Sequence, residues 1–365
     1  MNVLMIGVDK TSVGGMLTVI ENYLNNEYFC EKVHLQYVST VVRGGKFLKI
    51  KTFLKKLPKI KKIIKEKHID IVHVHMAERG SVFREGYVIH LAKKMGCKTI
   101  IHMHGATIED WYNRQNKIIK KIVKKVFCSP DKMLVLGDLW LPFMKKVIGK
   151  ENEYKLKVLH NAVNVPKINN YNLEAKEILF YGMLIQRKGI DDLLQAFSEI
   201  KNEIPTNIKL VLYGDDYDSE EKINDKIKRY DLENYAEYRG WLTAENREKV
   251  FKNIIVNVLP SYNEGLPMTI LESMGYGIPN ISTNIAAIPE AIFNDVNGYL
   301  INPGNIEELK EKMKNIILNK ELRQKFSDNA YQVAQEEFSL NSHLNKLINI
   351  YQEVLTNSNS INKKD

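Results

Sequence analysis

The sequence predicts two successive doubly wound α/β domains, on three observations: chain length, a recurring strand–helix alternation, and a break in that alternation near the middle. At 365 residues the chain suits two α/β domains of ordinary size better than one or three. With 44% hydrophobic residues, 27% charged residues and 10 prolines, it has the composition of a globular chain with a large core, the polar tail 356–365 apart. Apolar, β-branched runs recur at 3–8, 33–38, 69–75, 98–102, 133–136 and 155–159. Helix-like periodicity between most of them predicts a parallel sheet covered by helices. The stretch 161–175, with Pro166 and several asparagines, has neither period and reads as irregular, with 164–175 as the linker proper. The alternation then restarts, with strands expected at 178–183, 209–213, 236–239, 255–260 and 278–282. Domains 1–163 and 176–338 are therefore expected to face each other across a cleft. The remainder, 339–365, opens with an amphipathic segment at 339–355. The sequence leaves open which lobe that segment packs on, the first included.

Several classes are disfavoured. Cys30, Cys97 and Cys128 are far apart and form no CxxC pair, which argues against a disulfide framework or a zinc knuckle and for a reducing compartment. The start, Met1 to Val8, lacks the cationic and long apolar regions of a signal peptide. No apolar run approaches the roughly 20 residues of a membrane-spanning helix. A cytoplasmic protein is expected. The net charge of +9 is concentrated: residues 46–67 hold ten lysines and one acid, Glu66, interleaved with Phe47, Ile50, Phe53 and Leu54. Pro58 is expected to split this segment into two helices. A second segment, 117–125, sets lysines opposite a stripe of Ile118, Ile119, Ile122 and Val123. An ordinary surface helix explains such a stripe as well as an anionic membrane does. Nucleic acid ranks last, because no aromatic platform accompanies the charge.

In open α/β sheets ligands sit beyond the carboxyl ends of strands, so chemistry is sought at strand-to-helix turns. The first turn carries Gly14-Gly15, a weak signal for close approach to a phosphate or sugar. The fourth strand ends in His102-Met-His104-Gly105. Alternation puts both histidines on one side and places His104 to meet a ligand. A metal site would need a third ligand that local spacing does not supply, and a structural histidine is the plain alternative. Glu109, Asp110 and Trp111 follow in an expected loop that could touch a sugar. In the second half, Gly182 leads to Arg187-Lys188-Gly189, where adjacent cations could hold a departing diphosphate, a solvated basic turn being the alternative. The most specific segment runs from Ser261 through Glu264-Gly265-Leu266-Pro267-Met268-Thr269 to Glu272. Pro267 suits a helix entry whose free amides would face phosphates. The two glutamates fall where they can address different parts of one extended ligand.

At these residues the chain resembles glycosyltransferase family 4, retaining enzymes of the GT-B fold that include builders of bacterial capsule, exopolysaccharide and lipopolysaccharide. Gly14-Gly15, His102 to Gly105, His160-Asn161-Ala162, Gly182 through Gly189, Tyr238 to Leu242 and the two-glutamate turn occur in the family's order. The resemblance implies two facing Rossmann-like domains with the active site in the cleft and closure about the linker. It implies that Glu264 contacts donor-sugar hydroxyls and Glu272 the ribose, while Arg187 and Lys188 clamp the diphosphate. Gly240, Trp241 and Leu242 would line the nucleobase, amides around Leu266 to Thr269 would assist the phosphates, and His104 would reach the donor sugar or reaction centre. Gly15 would lie beside donor or acceptor. Two departures stand out: Met183 replaces a common arginine, and Ile285-Ala286-Ala287 replaces common adjacent glycines. The expected activity is hexosyl transfer from a nucleotide-sugar, UDP-linked by preference, to a saccharide acceptor carried on lipid at the inner membrane face. No metal or other cofactor is expected. A nucleotide-sugar 2-epimerase of the same fold and a non-catalytic partner subunit are the alternatives.

Overall fold

The computed structural model describes residues 1–12, 14–216 and 221–356; all of the polar tail beyond Thr356 lies outside the described residues. The chain forms two compact units: Met1–Asn161 together with the chain from Asn341 onward, and Ala162–Leu340.

Unit 1 contains β1 (Val3–Val8), α1 (Gly15–Leu24), α2 (Glu27–Lys32), β2 (Gln36–Val41), α3 (Lys46–Glu66), β3 (Ile71–Met76) and α4 (Gly80–Lys94). Then follow β4 (Lys98–Met103), α5 (Ile108–Asn113), α6 (Lys117–Cys128), β5 (Lys132–Val135), α7 (Leu141–Ile148) and β6 (Leu156–Val158). The strands form one parallel sheet in the order β2-β1-β3-β4-β5-β6. The order reverses between β1 and β3, the switch point at which such sheets bind ligands. Strand β3 is buried along its whole length, as a sheet covered on both faces requires.

Three local expectations are corrected. The run at 33–38 gives a strand only from Gln36, because Val33 caps α2 and is fully buried while His34 turns the chain at φ 40°. Pro58 does not split its segment: α3 is one helix. The carbonyl that loses its amide partner belongs to Leu54, which is exposed, so water can replace the bond. Residues 109–111 lie in helix α5 rather than a loop, where Glu109 and Asp110 complement the first turn.

Unit 2 contains β7 (Glu177–Tyr181), α8 (Ile190–Ile200), β8 (Lys209–Tyr213), α9 (Ile223–Arg229), β9 (Ala236–Tyr238) and α10 (Ala244–Phe251). Next come β10 (Ile254–Leu259), α11 (Met268–Gly275), β11 (Asn280–Thr283), β12 (Gly298–Ile301), α12 (Ile306–Leu318) and α13 (Lys320–Glu337). Its parallel sheet runs β12-β11-β10-β7-β8-β9, with the switch between β7 and β10. Edge strand β12 was not expected from the sequence. The stretch 164–175 packs as part of this unit: Tyr171 Oη donates to the Ile255 carbonyl at 2.7 Å, and Tyr331 Oη to the Pro166 carbonyl at 2.7 Å.

The last helix, α14 (Leu340–Thr356), returns to unit 1. His343 and Tyr351 are buried there, and Glu353 pairs with Lys132 at 2.7 Å and Lys157 at 3.0 Å.

Candidate active site

The switch point of unit 2 assembles most of the residues singled out above. The turn after β7 and the turn after β10 are adjacent because their strands pair. Gly189 takes φ +73°, and a Cβ there would lie 2.0 Å from the Pro260 carbonyl oxygen, so the approach of the two turns demands glycine. The backbone amide of Tyr262 donates to the Arg187 carbonyl at 2.9 Å. The Arg187 guanidinium donates from Nη1 to the Asn263 carbonyl at 2.6 Å, which ties it to the second turn and leaves its other N–H groups for a ligand. Lys188 Nζ lies 2.5 Å from Glu264 Oε1, which also accepts from Ser261 Oγ at 2.7 Å. Glu264 is 6% exposed, a buried carboxylate held in place by a cation and a hydroxyl.

Pro267 precedes α11 as its cap, and Gly265, Leu266, Met268 and Thr269 surround the entry. The first amides of a helix have no intrahelical partner. Thr269 Oγ1 and Asn263 Oδ1 are likewise buried without a hydrogen-bond partner among the described residues. The turn therefore holds donors and acceptors suited to an oxyanion or a hydroxylated ligand. Ala287 donates its amide to the Gly265 carbonyl at 3.2 Å, and Ala286 adopts φ +46°. The loop that carries alanines in place of glycines thus still takes a left-handed turn, at the cost of backbone strain.

Glu272 lies inside α11 and is 4% exposed. Its Oε1 is 2.9 Å from Arg247 Nη1, and Arg247 Nη2 also donates to Tyr181 Oη at 3.4 Å. Burial pushes its carboxyl up to about 7, against the opposing pull of Arg247 and Tyr181. Met183 and Gly182 follow β7 directly. Gly240 follows β9 and accepts from the Gly214 amide at 2.8 Å. Trp241 is exposed, whereas Leu242 is buried in the unit's core beside Tyr181 and Phe251. A nucleobase contact from Leu242 would therefore have to come from its backbone.

In unit 1, Gly15 opens α1 behind Gly14, and His104 stands just past the carboxyl end of β4. His73 and His75 of β3 share a sheet face with His102 of β4 and His104, in a row of stacked and tilted rings. Tyr23, His343 and Tyr351 cover the row: Tyr351 Oη lies 2.6 Å from His73 Nδ1, and Tyr23 Oη 2.6 Å from His343 Nε2. Burial holds His73 and His104 down to about 3 and His343 to about 4, with His75 and His102 also well below the usual range. The row is neutral. Ligand atoms of His73, His75 and His102 come within 4.8 Å of one another, but His73 and His75 stack with 10° between their planes. Their in-plane lone pairs run side by side and do not converge on one ion. Trp111 packs edge-on to Phe83 at 6.2 Å and against the core of unit 1, and stays partly exposed.

Residues 163–333 match the family described as glycosyl transferases group 1, and residues 26–135 match glycosyl transferase 4-like. The chain belongs to the family 4-type glycosyltransferases. The transferase is 26% identical, over 97% of its length and 99% of the relative's, to an uncharacterized glycosyltransferase of Methanocaldococcus jannaschii. It is 24% identical, over 91% and 87%, to the UDP-Gal:alpha-D-GlcNAc-diphosphoundecaprenol alpha-1,3-galactosyltransferase of Escherichia coli. Sucrose-phosphate synthase from Thermosynechococcus elongatus superposes with a TM-score of 0.81 over 98% of this chain and 100% of that one, at 14% identity. Anabaena HepE, solved with UDP-glucose, gives 0.75 over 96% and 99%, at 14% identity. These likenesses establish the GT-B fold for the glycosyltransferase. Sequence reasoning missed Arg247 and Tyr181 beside Glu272 in unit 2, and His73 and His75 beside His102 and His104 in unit 1. Arg247 lies in a helix of unremarkable composition, and its meeting with Glu272 follows from α10 crossing the sheet face, a contact no local spacing encodes. His73 and His75 had a visible signal, an alternating pair on the strand beside His102.

Proposed function

We propose that this glycosyltransferase transfers a hexose from a UDP-sugar to a saccharide acceptor, with retention of anomeric configuration, in the building of a cell-surface polysaccharide. The observation that carries the reading is the switch-point turn of unit 2, where Lys188, Glu264, the entry to α11 and Glu272 follow one another along a path suited to sugar, diphosphate and ribose. Glu264 would hold donor-sugar hydroxyls and Glu272 the ribose. Arg187, Lys188 and the helix amides would stabilise the departing diphosphate, so no metal need be recruited for that charge. In a same-face displacement the leaving diphosphate accepts the acceptor's proton, and no protein nucleophile is required. The galactosyltransferase relative named for an undecaprenol-linked acceptor and the relative named for capsular polysaccharide biosynthesis in Staphylococcus aureus support a lipid-linked saccharide acceptor.

The acceptor would be reached at an anionic membrane surface through α3 and α6. Among the described residues no helix is long and apolar enough to cross a membrane. The first half of α3 leaves Phe47 91% exposed, with Ile50 and Leu54 also exposed beside its lysines, and α6 leaves Ile118 71% exposed. Apolar side chains ringed by lysine suit insertion among anionic headgroups.

The test is a panel of nucleotide-sugars scored for binding and turnover, with the product anomer read by NMR. UDP-sugars should bind best, and Glu272→Ala should weaken donor binding about tenfold to a hundredfold, the loss of one or two charge-assisted hydrogen bonds. Donor affinity unchanged in that variant would remove the ribose assignment, and an isomerised donor formed without acceptor would replace transfer with epimerisation.

A further inference from the structure

We propose that His75 is a positioning residue: its Nδ1–H, donated to Nε2 of His104, fixes His104 as the tautomer that carries its own proton on Nδ1. His104 then meets substrate as a hydrogen-bond donor and not as a base. The substrate half of this inference rests on the reading above, in which His104 reaches the donor sugar or reaction centre.

His75 Nδ1 lies 2.9 Å from His104 Nε2, with the rings 5.0 Å apart. The backbone of His104 is held separately, its amide donating to the Met76 carbonyl at 2.7 Å. Strand end and side chain are therefore fixed by two independent bonds to β3. His73, His75 and His102 are fully buried, whereas His104 is only partly so; of the four, it alone can reach a ligand.

One proton lies between the two nitrogens, and two arrangements are open to a pair of neutral imidazoles. Were His104 the donor, His75 would keep its own proton on Nε2, which is buried with no hydrogen-bond partner among the described residues. That would be an orphaned N–H inside the protein, the rarer and costlier fault. With His75 as donor, only a lone pair is left unpartnered at its Nε2. The bond made by one ring nitrogen sets the state of the other, so the second arrangement puts the His104 proton on Nδ1. A donor there can bind a sugar hydroxyl oxygen or the negative charge that grows as the diphosphate leaves. It leaves the acceptor's proton to the phosphate.

The experiment is two-bond ¹H–¹⁵N correlation on the full chain labelled in histidine, with the His104 signals assigned by their loss in His104→Ala. Wild type should show His104 protonated on Nδ1. In His75→Phe this preference should be lost, and kcat should fall about tenfold to a hundredfold, as for other partners that orient a working imidazole, with donor KM unchanged. His75→Asn, whose amide N–H falls near the Nδ1 position, should recover most of the rate, which a purely structural role would not predict. A wild-type His104 protonated on Nε2 overturns the proposal whether or not any variant folds. So does a folded His75→Phe with full kcat. Full activity in His104→Ala would instead sink the parent reading and the substrate half of this one, while an Nδ1–H signal would leave the positioning bond standing.

Discussion

Glu272 gives unit 2 a pH dependence of unusual sign for a carboxylate. Its folded value, about 7, lies above the ordinary glutamate value of 4.5 because burial outweighs Arg247. The folded unit thus holds a proton that the unfolded chain has released. The stability this group contributes is complete below about pH 4.5 and is lost as pH rises through about 7, on the order of 3 kcal/mol in all. Denaturant unfolding of the ligand-free protein, followed through Trp241, which lies in unit 2, should therefore show a falling midpoint from pH 5 to 8, and Glu272→Gln should flatten that slope. An unchanged slope would assign the titration to another group. At this scale the sequence was most informative about the glutamates themselves. A strand, Gly265, Pro267 and a helix in succession constrain where Glu264 and Glu272 can stand. Their partners Arg247 and Tyr181 come from another helix and another strand, and no periodicity announces such pairings. Arg187 shows the same limit: its place in the turn was legible, but the Asn263 carbonyl that fixes its Nη1 lies in the turn after another strand.

Helices α3 and α6 carry the prediction that belongs to whole elements. Phe53 of α3 packs edge-on to Tyr87 of α4 at 6.1 Å, and Gly86 of α4 abuts Val126 of α6, so the three helices lie side by side over one sheet. Ile60 and Ile64 bury the second half of α3, while Phe47, Ile50 and Leu54 of its first half stay exposed. Flotation with anionic vesicles should succeed and weaken with salt, and lysine-to-glutamine changes in 46–56 should reduce it without altering donor binding. Equal flotation on neutral vesicles would refute the electrostatic docking. The elements themselves were largely legible, since a doubly covered parallel strand must be an apolar run and a helix must keep its stripe. The misreadings have local causes. Val33 belongs to a helix end, Pro58 sits where water can replace a lost bond, and β12 is a four-residue edge strand too short to show a period.

Taken over whole units, five of the nine imidazoles of unit 1, His73, His75, His102, His104 and His343, make it acid-sensitive. Their folded values lie below the ordinary histidine value of 6.5, so the unfolded chain takes up protons that the folded unit refuses. Stability is full above about pH 6.5 and falls as pH drops toward 3 to 4, each of the four fully buried rings adding up to about 1.4 kcal/mol per pH unit. Unfolding of unit 1, reported by Trp111 and Trp140, should move to lower denaturant from pH 7 to pH 5, and a midpoint that stays constant would contradict the neutral row. The paired sheets were expected from the sequence, but the docking of α14 was left open there, because an amphipathic stripe says that a helix packs without saying on what. That return of the chain bears on biosynthesis. Unit 2 is one uninterrupted stretch, 162–340, whereas the covering residues His343 and Tyr351 of unit 1 are translated after it. At cellular elongation rates the gap is on the order of ten seconds or more. The part of the polypeptide that leaves the ribosome first is thus the last to close, and during that interval its histidine row stands open to water.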